Sequence, residues 1–262
     1  MTRAPIICVA LAACGGSKPL DTIPASALPP ANAKLDYQLG GAYPPPDGVT
    51  VVSRDRNASP ASGMFTICYV NGFQIQPGEA ASWQAQHPEL VLHDRDGNPV
   101  VDPQWHEMLI DVGTADKRAA VAAIVDGWID GCKQAGFNAI EIDNLDSYTR
   151  SQGLITPDDA VAAMRLFAEH AHGAGLPVAQ KNSAELVARK RELATDFAVA
   201  EECDAFGECD SYTAGYGSHV LVIEYDRKSF DAGCRAFPQL SIVLRDRELV
   251  TPDRPGYVYA GC

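Results

Sequence analysis

Basic residues are scarce in this chain: 21 Lys and Arg stand against 34 Asp and Glu, a formal charge of −13 over 262 residues. That balance argues against nucleic acid or an anionic membrane surface as partner, since both call for excess positive charge. It suits a cationic substrate, or simply a solvated surface. No Cys-x-x-Cys pair occurs and the six histidines are scattered, so the ligand spacing of a zinc site is missing. His170 and His172, two apart on a predicted helix, do not share a face. Asp94-Arg95-Asp96-Gly97-Asn98 lacks the rest of a calcium loop's spacing and reads as a solvated turn. No motif implies a cofactor. There is no internal repeat beyond an alternation of strand and helix, and nothing marks a second domain.

What is present begins with a processing signal. Arg3 precedes an apolar stretch, 6–13, far shorter than the roughly 20 residues that span a membrane, and it closes in Leu11-Ala12-Ala13-Cys14-Gly15. The pattern resembles a bacterial lipoprotein signal, cut before Cys14, which then carries lipid; a plain cleaved signal or a disordered tail is the alternative. On this reading 1–13 is a signal, 14–33 a lipidated cysteine with a Pro/Ala-rich tether, and 34–262 one folded domain. The protein is then extracytoplasmic, anchored to a membrane through Cys14 or secreted, and is expected to act as a monomer. Six cysteines remain, an even number that favours disulfides in an exported chain. Proximity suggests Cys203 with Cys209. Pairing Cys234 with Cys262 would tie the last helix to the C-terminus and leave Cys68 with Cys132.

Apolar runs recur at 35–39, 49–53, 64–70, 139–143, 177–181, 197–201, 219–225 and 240–244, giving eight candidate strands. Helical patterns fill 115–135, 157–174, opened by Thr156 as cap and Pro157 in the first turn, and 183–193. Strand alternating with helix implies parallel pairing and, at this count, a closed (β/α)8 barrel of the TIM type. The early half fits less well, because 54–63 is too short and polar for a crossover helix. The long segment 71–110, with Trp83, His87, Trp105 and His106, is expected to build a substrate cleft above the barrel.

The chemistry lies where strands end in acids: Ala139-Ile140-Glu141-Ile142-Asp143-Asn144 and Phe197-Ala198-Val199-Ala200-Glu201-Glu202. Barrel enzymes present catalytic groups at the C-terminal ends of their strands. Side chains alternate faces, so Glu141 and Asp143 share one face, as do Phe197, Val199 and Glu201, with Glu202 on the other. The fourth and sixth strands contribute to the same layer of a barrel, about 9 to 10 Å apart. Inward carboxyl groups there fall about 5 to 9 Å apart, spanning both the retaining and the inverting arrangement of glycosidases. Lys181-Asn182, ending the strand between them, either holds a carboxylate ionised by its charge or serves as the Schiff-base nucleophile of a barrel aldolase. For each acid alone, a solvated strand end is the bland reading.

Seven segments in order carry a resemblance: Asp36-Tyr37-Gln38-Leu39-Gly40; Cys68-Tyr69; Gly136-Phe137-Asn138 running into Glu141-Ile142-Asp143-Asn144; Ala171-His172 with Gly175-Leu176; Gln180-Lys181-Asn182; Glu201-Glu202-Cys203 with Glu208-Cys209; and Glu224-Tyr225. Together they resemble glycoside hydrolase family 114, the endo-α-1,4-polygalactosaminidases. The resemblance implies a β/α barrel that cleaves α-1,4-linked galactosamine polymer with the Asp of Glu-x-Asp-Asn and the Glu of Glu-x-Cys, here Asp143 and Glu201. Asp143 would be nucleophile or charge stabiliser and Glu201 acid/base, or the reverse. Tyr37, Gln38, Tyr69, Glu141, Asn144, Asp146, Tyr148, Lys181, Asn182, Glu202, Glu224 and Tyr225 would line the sugar subsites. Where family members carry a Ser/Gly-rich stretch with Arg-Pro-Asp after Cys-Tyr, this chain has Val70-Asn71-Gly72-Phe73, a departure at the cleft rim. The polymer, partly deacetylated, would be cationic and suit the acidic balance. A lipoprotein that binds surface polysaccharide without cutting it is the reading from another class.

Overall fold

The computed structural model describes residues 23–262; the signal, Cys14 and the first part of the tether lie outside the described residues. All eight expected strands form. They are β1 (Leu35–Gln38), β2 (Val51–Asp55) and β3 (Phe65–Asn71), followed, after an outlying antiparallel pair β4 (Gln74–Ile75) and β5 (Met108–Leu109), by β6 (Ala139–Asp143), β7 (Val178–Lys181), β8 (Phe197–Glu201), β9 (Val220–Glu224) and β10 (Ser241–Arg245). These eight run parallel in chain order, and a short ninth strand, β11 (Tyr259–Gly261), adds antiparallel to β10. The result is a nearly closed β/α barrel.

Period-two alternation sets its inside. Leu35, Val51, Ile67, Ala139, Ala179, Phe197, Leu221 and Val243 fill the floor as one apolar cluster, while the next residues of the same parity, including Glu141, Asp143, Lys181 and Glu201, point up the barrel axis. Each large side chain fully buried there contributes roughly 1.5–3 kcal/mol. The outward residues pack on helices. Val70, Ile140, Ile142 and Val178 meet α2 (Ala115–Ala135) and α3 (Pro157–Gly173), which follow α1 (Ala80–Gln86) in the chain. Thr114 caps α2 and Gly136 ends it at φ 97°, whereas Thr156 and Asp159 form a reciprocal capping box on α3 behind Pro157. After β7 the expected helix begins as a 3₁₀ turn, Ala184–Arg189, and is α-helical only in α4 (Lys190–Leu193). Beyond β8 come α5 (Cys203–Phe206) and α6 (Cys209–Tyr216), and α7 (Arg227–Ala236) follows β9. The connections leading to β2 and β3 carry no helix, and only a small cluster of Val49, Val52 and Ala61 covers β2.

Several expectations change in detail. The long segment after β3 is mostly core rather than cleft: Trp83 is buried edge-on against Trp128 and His87, and only its end, from Asp102 to Glu107, reaches the barrel mouth. The last residues of the supposed tether dock on the barrel floor. Ala33 donates its N–H to Ser241 Oγ at 2.8 Å, and the Pro29 carbonyl meets His219 Nδ1 at 3.1 Å. Three disulfides join Cys68 to Cys132, Cys203 to Cys209 and Cys234 to Cys262, marking a chain that matures in an oxidising compartment. His170 bonds Asp130 and His172 bonds Asp196; Asp94 accepts from the N–H groups of Asp96 and Asn98, closing its own turn.

Candidate active site

At the C-terminal ends of β6, β7 and β8 the chain turns out of the barrel through left-handed residues: Asn144 at φ 64°, Asn182 at 49° with Ser183 at 60°, and Glu202 at 56°. Non-glycine residues in this region cost on the order of 1–3 kcal/mol each and gather at functional sites. Here the sharp exits leave Asp143, Lys181 and Glu201 as the last strand residues, facing one another across the mouth.

Lys181 Nζ stands 3.1 Å from Asp143 Oδ1 and 3.1 Å from Glu201 Oε2, with Glu141 Oε1 below at 3.7 Å. The nearest oxygens of Asp143 and Glu201 are therefore no farther apart than twice the first distance. Asp143 also accepts from Tyr69 Oη at 2.7 Å and from the Asn144 N–H at 2.8 Å. Glu201 accepts from Asn182 Nδ2 at 3.0 Å and from the Tyr225 hydroxyl, while Asn182 Oδ1 receives the Glu201 N–H. Each carboxylate is thus aimed by a tyrosine and an amide, with one ammonium between them.

Burial sets the protonation states and neighbouring charge corrects them. Burial opposes the Lys181 charge, yet Asp143, Glu201 and Glu141 hold its pKa well above the usual lysine value. A lysine kept protonated does not suit Schiff-base attack, which needs the neutral amine. Burial also pushes Glu201 up, but Lys181 and the bonds from Tyr225 and Asn182 prevail and hold it below the ordinary carboxylate value. Glu141, completely buried under bonds from Tyr37 and Ser53, is raised by burial to about 7 despite Lys181.

Of the other residues expected to line subsites, Tyr69, Asn144, Asp146, Asn182, Glu202 and Tyr225 face the cleft. Tyr37 and Glu141 lie one layer deeper, supporting the site from below. Tyr148 stands outside the cleft lining and donates its hydroxyl to Glu185, which belongs to it. Two residues sit elsewhere. Gln38 is buried on the outer side of β1, bonded to Asp36 and to Arg54 Nε at 2.9 Å. Glu224 shares the outward face of Val220 and Val222 and accepts the Asp204 N–H at 2.9 Å. Strand parity explains both, since Tyr37 and Ile223 take the inward positions.

The cleft encloses about 910 Å³ and adds Asp102, Glu107, Glu185, Phe206 and Arg247, which no sequence motif marks, together with Glu208 of the Glu208-Cys209 segment. Phe206 is 68 % exposed and Trp105 47 %, large apolar faces open to solvent on opposite flanks. Nine carboxylates and three cations line the cleft, and every cation is already paired. Arg150 holds Asp102 and Asp146, Lys181 holds the central acids, and Arg247 holds Glu202.

A β/α barrel whose mouth holds two oriented carboxylates has the pair of acids that glycoside hydrolysis uses. The model of Glycoside-hydrolase family GH114 matches residues 17–262, and the chain belongs to that family. Ega3 of Aspergillus fumigatus, solved with galactosamine, has the same fold, with a TM-score of 0.72 at 19% identity over 90% of this chain and 97% of that one. The glycoside hydrolase domain of PelA from Pseudomonas aeruginosa gives 0.58 at 14% identity over 86% and 97%. TtGalA, an α-galactosidase from Thermus thermophilus in complex with p-nitrophenyl α-D-galactopyranoside, gives 0.51 at 14% identity over 86% and 60%. At these identities the likeness establishes the fold. No match is found among curated protein sequences.

Proposed function

We propose that this glycoside hydrolase cleaves α-1,4-linked galactosamine polymer internally, with Asp143 as nucleophile and Glu201 as acid/base. The observation that carries the substrate class is the charge of the cleft: acids outnumber cations three to one and no cation is left unpaired. Such a surface attracts an ammonium-bearing sugar and repels an anionic one. Galactosamine in the Ega3 structure supports the same class.

The proposed step follows from the spacing. Two carboxyl groups about 5–5.5 Å apart suit retention, whereas inversion needs about 6.5–9.5 Å to admit a water; a shared ammonium at 3.1 Å from each favours the shorter separation. Asp143, held by Tyr69, Lys181 and Asn144, attacks the anomeric carbon while Glu201 passes its proton to the departing glycosidic oxygen. Water then attacks the glycosyl-enzyme, with Glu201 now taking the proton. Glu201 is the more exposed of the two, 26% against 16%, as a group that exchanges protons with water should be. Its resting carboxyl is held low by Lys181, and expulsion of water by substrate raises it again through desolvation. The exposed Trp105 and Phe206 flanks suit a chain that runs across the site, which is what internal cleavage requires.

The test is mass spectrometry of products from de-N-acetylated α-1,4-galactosaminan. A ladder of oligogalactosamines is expected, with the new reducing end first released as the α-anomer by NMR. Galactosamine monomer alone would refute internal cleavage, and first release of the β-anomer would refute retention.

A further inference from the structure

We propose that Glu107, beside Trp105, reads the free amino group of the sugar seated next to Asp143 and so sets a preference for de-N-acetylated polymer. This deepens the galactosaminan reading and rests on it. The placement begins with β3, whose last residue, Asn71, stands in register with Asp143 on β6. Asn71 Nδ2 donates to Glu107 Oε2 at 2.9 Å, and Asn71 Oδ1 accepts from Asn144 Nδ2 and from the Gln74 N–H, both at 3.0 Å. Asn71 thereby ties Glu107 to the catalytic strand end. Two residues earlier, Trp105 offers a half-exposed apolar face to the same part of the cleft.

Glu107 has a carboxylate without a cation. Among the described residues its side-chain hydrogen bond is the one from Asn71, and the nearby Arg150 is held at 2.7 Å by Asp102 and at 2.8 Å by Asp146. The groups facing it are Asp143 on β6, Asp102 on its own loop and Arg150 beyond β6. Burial, countered by Asn71 and reinforced by the two acids more than Arg150 relieves it, brings Glu107 to about 7. A half-buried carboxylate with no cationic partner is a liability in the free protein. An ammonium from the ligand supplies the missing charge; an N-acetyl group does not. The Trp105 face can hold the sugar ring in either case, so charge discrimination falls to Glu107.

Steady-state kinetics on a defined α-1,4-galactosamine oligosaccharide and its N-acetylated counterpart test this. Glu107→Gln is expected to raise KM for the amino oligosaccharide about tenfold or more, the loss typical of a charged hydrogen bond, with a smaller change in kcat. The preference for amino over acetylated substrate should shrink by a similar factor. Trp105→Ala should raise KM for both substrates alike. Selectivity in Glu107→Gln within about twofold of wild type would overturn the proposal. A second measurement needs no variant: the wild-type Kd for galactosamine should tighten from about pH 5.5 to about pH 7.5, as Glu107 loses its proton, while that for N-acetylgalactosamine should not. Equal pH dependence for the two sugars would also overturn it. Wild type that cuts neither oligosaccharide would instead refute the galactosaminan reading, and this inference with it.

Discussion

Arg245, the last residue of β10, reaches Asp36 on β1 at 3.1 Å across the open seam of the barrel, and neither side chain is exposed. The seam lacks a backbone ladder among the described residues; the sheet order ends on β1 at one side and β11 at the other. Arg245 fills the gap with donations to the Tyr37, Val250 and Val258 carbonyls, and Tyr259 on β11 adds a bond to the Leu35 carbonyl at 3.3 Å. Removing one partner of a buried pair strands the other charge and costs about 3–5 kcal/mol. Arg245→Met should therefore lower the unfolding free energy by that amount in urea titration. A loss below about 1 kcal/mol would show that the seam does not depend on this pair.

Lys181 should govern the acid/base chemistry rather than perform it. Its ammonium holds the Glu201 pKa down, so Lys181→Met should raise that pKa. The kcat/KM profile then moves to higher pH while its maximum falls. Borohydride with carbonyl compounds should leave wild-type Lys181 unmodified. A profile that merely drops without moving would contradict the electrostatic role.

Glu224 offers a pH test away from the cleft. Burial, partly offset by the Asp204 N–H and reinforced by Asp204 and Glu202, raises its carboxyl from 4.5 to about 7. Between those values the folded state keeps a proton that the unfolded chain has lost, so this group makes stability fall as pH rises through the window. Glu224→Gln keeps an acceptor for the Asp204 N–H and removes the titration. Its unfolding free energy should decline less than wild type's from about pH 4.5 to about pH 7. Parallel curves would place the titration elsewhere.

The strands and the central pair were legible because a period of two is short enough to read in five residues. Ala139-Ile140-Glu141-Ile142-Asp143 and Phe197-Ala198-Val199-Ala200-Glu201 declare which side chains share a face before any partner is known. The same parity applied to Leu35-Asp36-Tyr37-Gln38 and Val220-Leu221-Val222-Ile223-Glu224 turns Gln38 and Glu224 outward, where the structure has them. The family resemblance, by contrast, implies subsite positions for both. What stayed hidden depends on loops and on distant pairing. Glu107 owes its position to Asn71, 36 residues away in the chain, and Phe206 to a four-residue helix with no periodic signal. Arg245 meets Asp36 only because the barrel closes.

The most direct measurement is the rate of product release from de-N-acetylated α-1,4-galactosaminan by wild type, Asp143→Asn and Glu201→Gln, with circular dichroism to verify folding. Wild type should release oligogalactosamines, and each folded variant should lose roughly 10² to 10⁴ or more in kcat. Either variant retaining wild-type turnover would contradict the assignment of that carboxylate to the reaction.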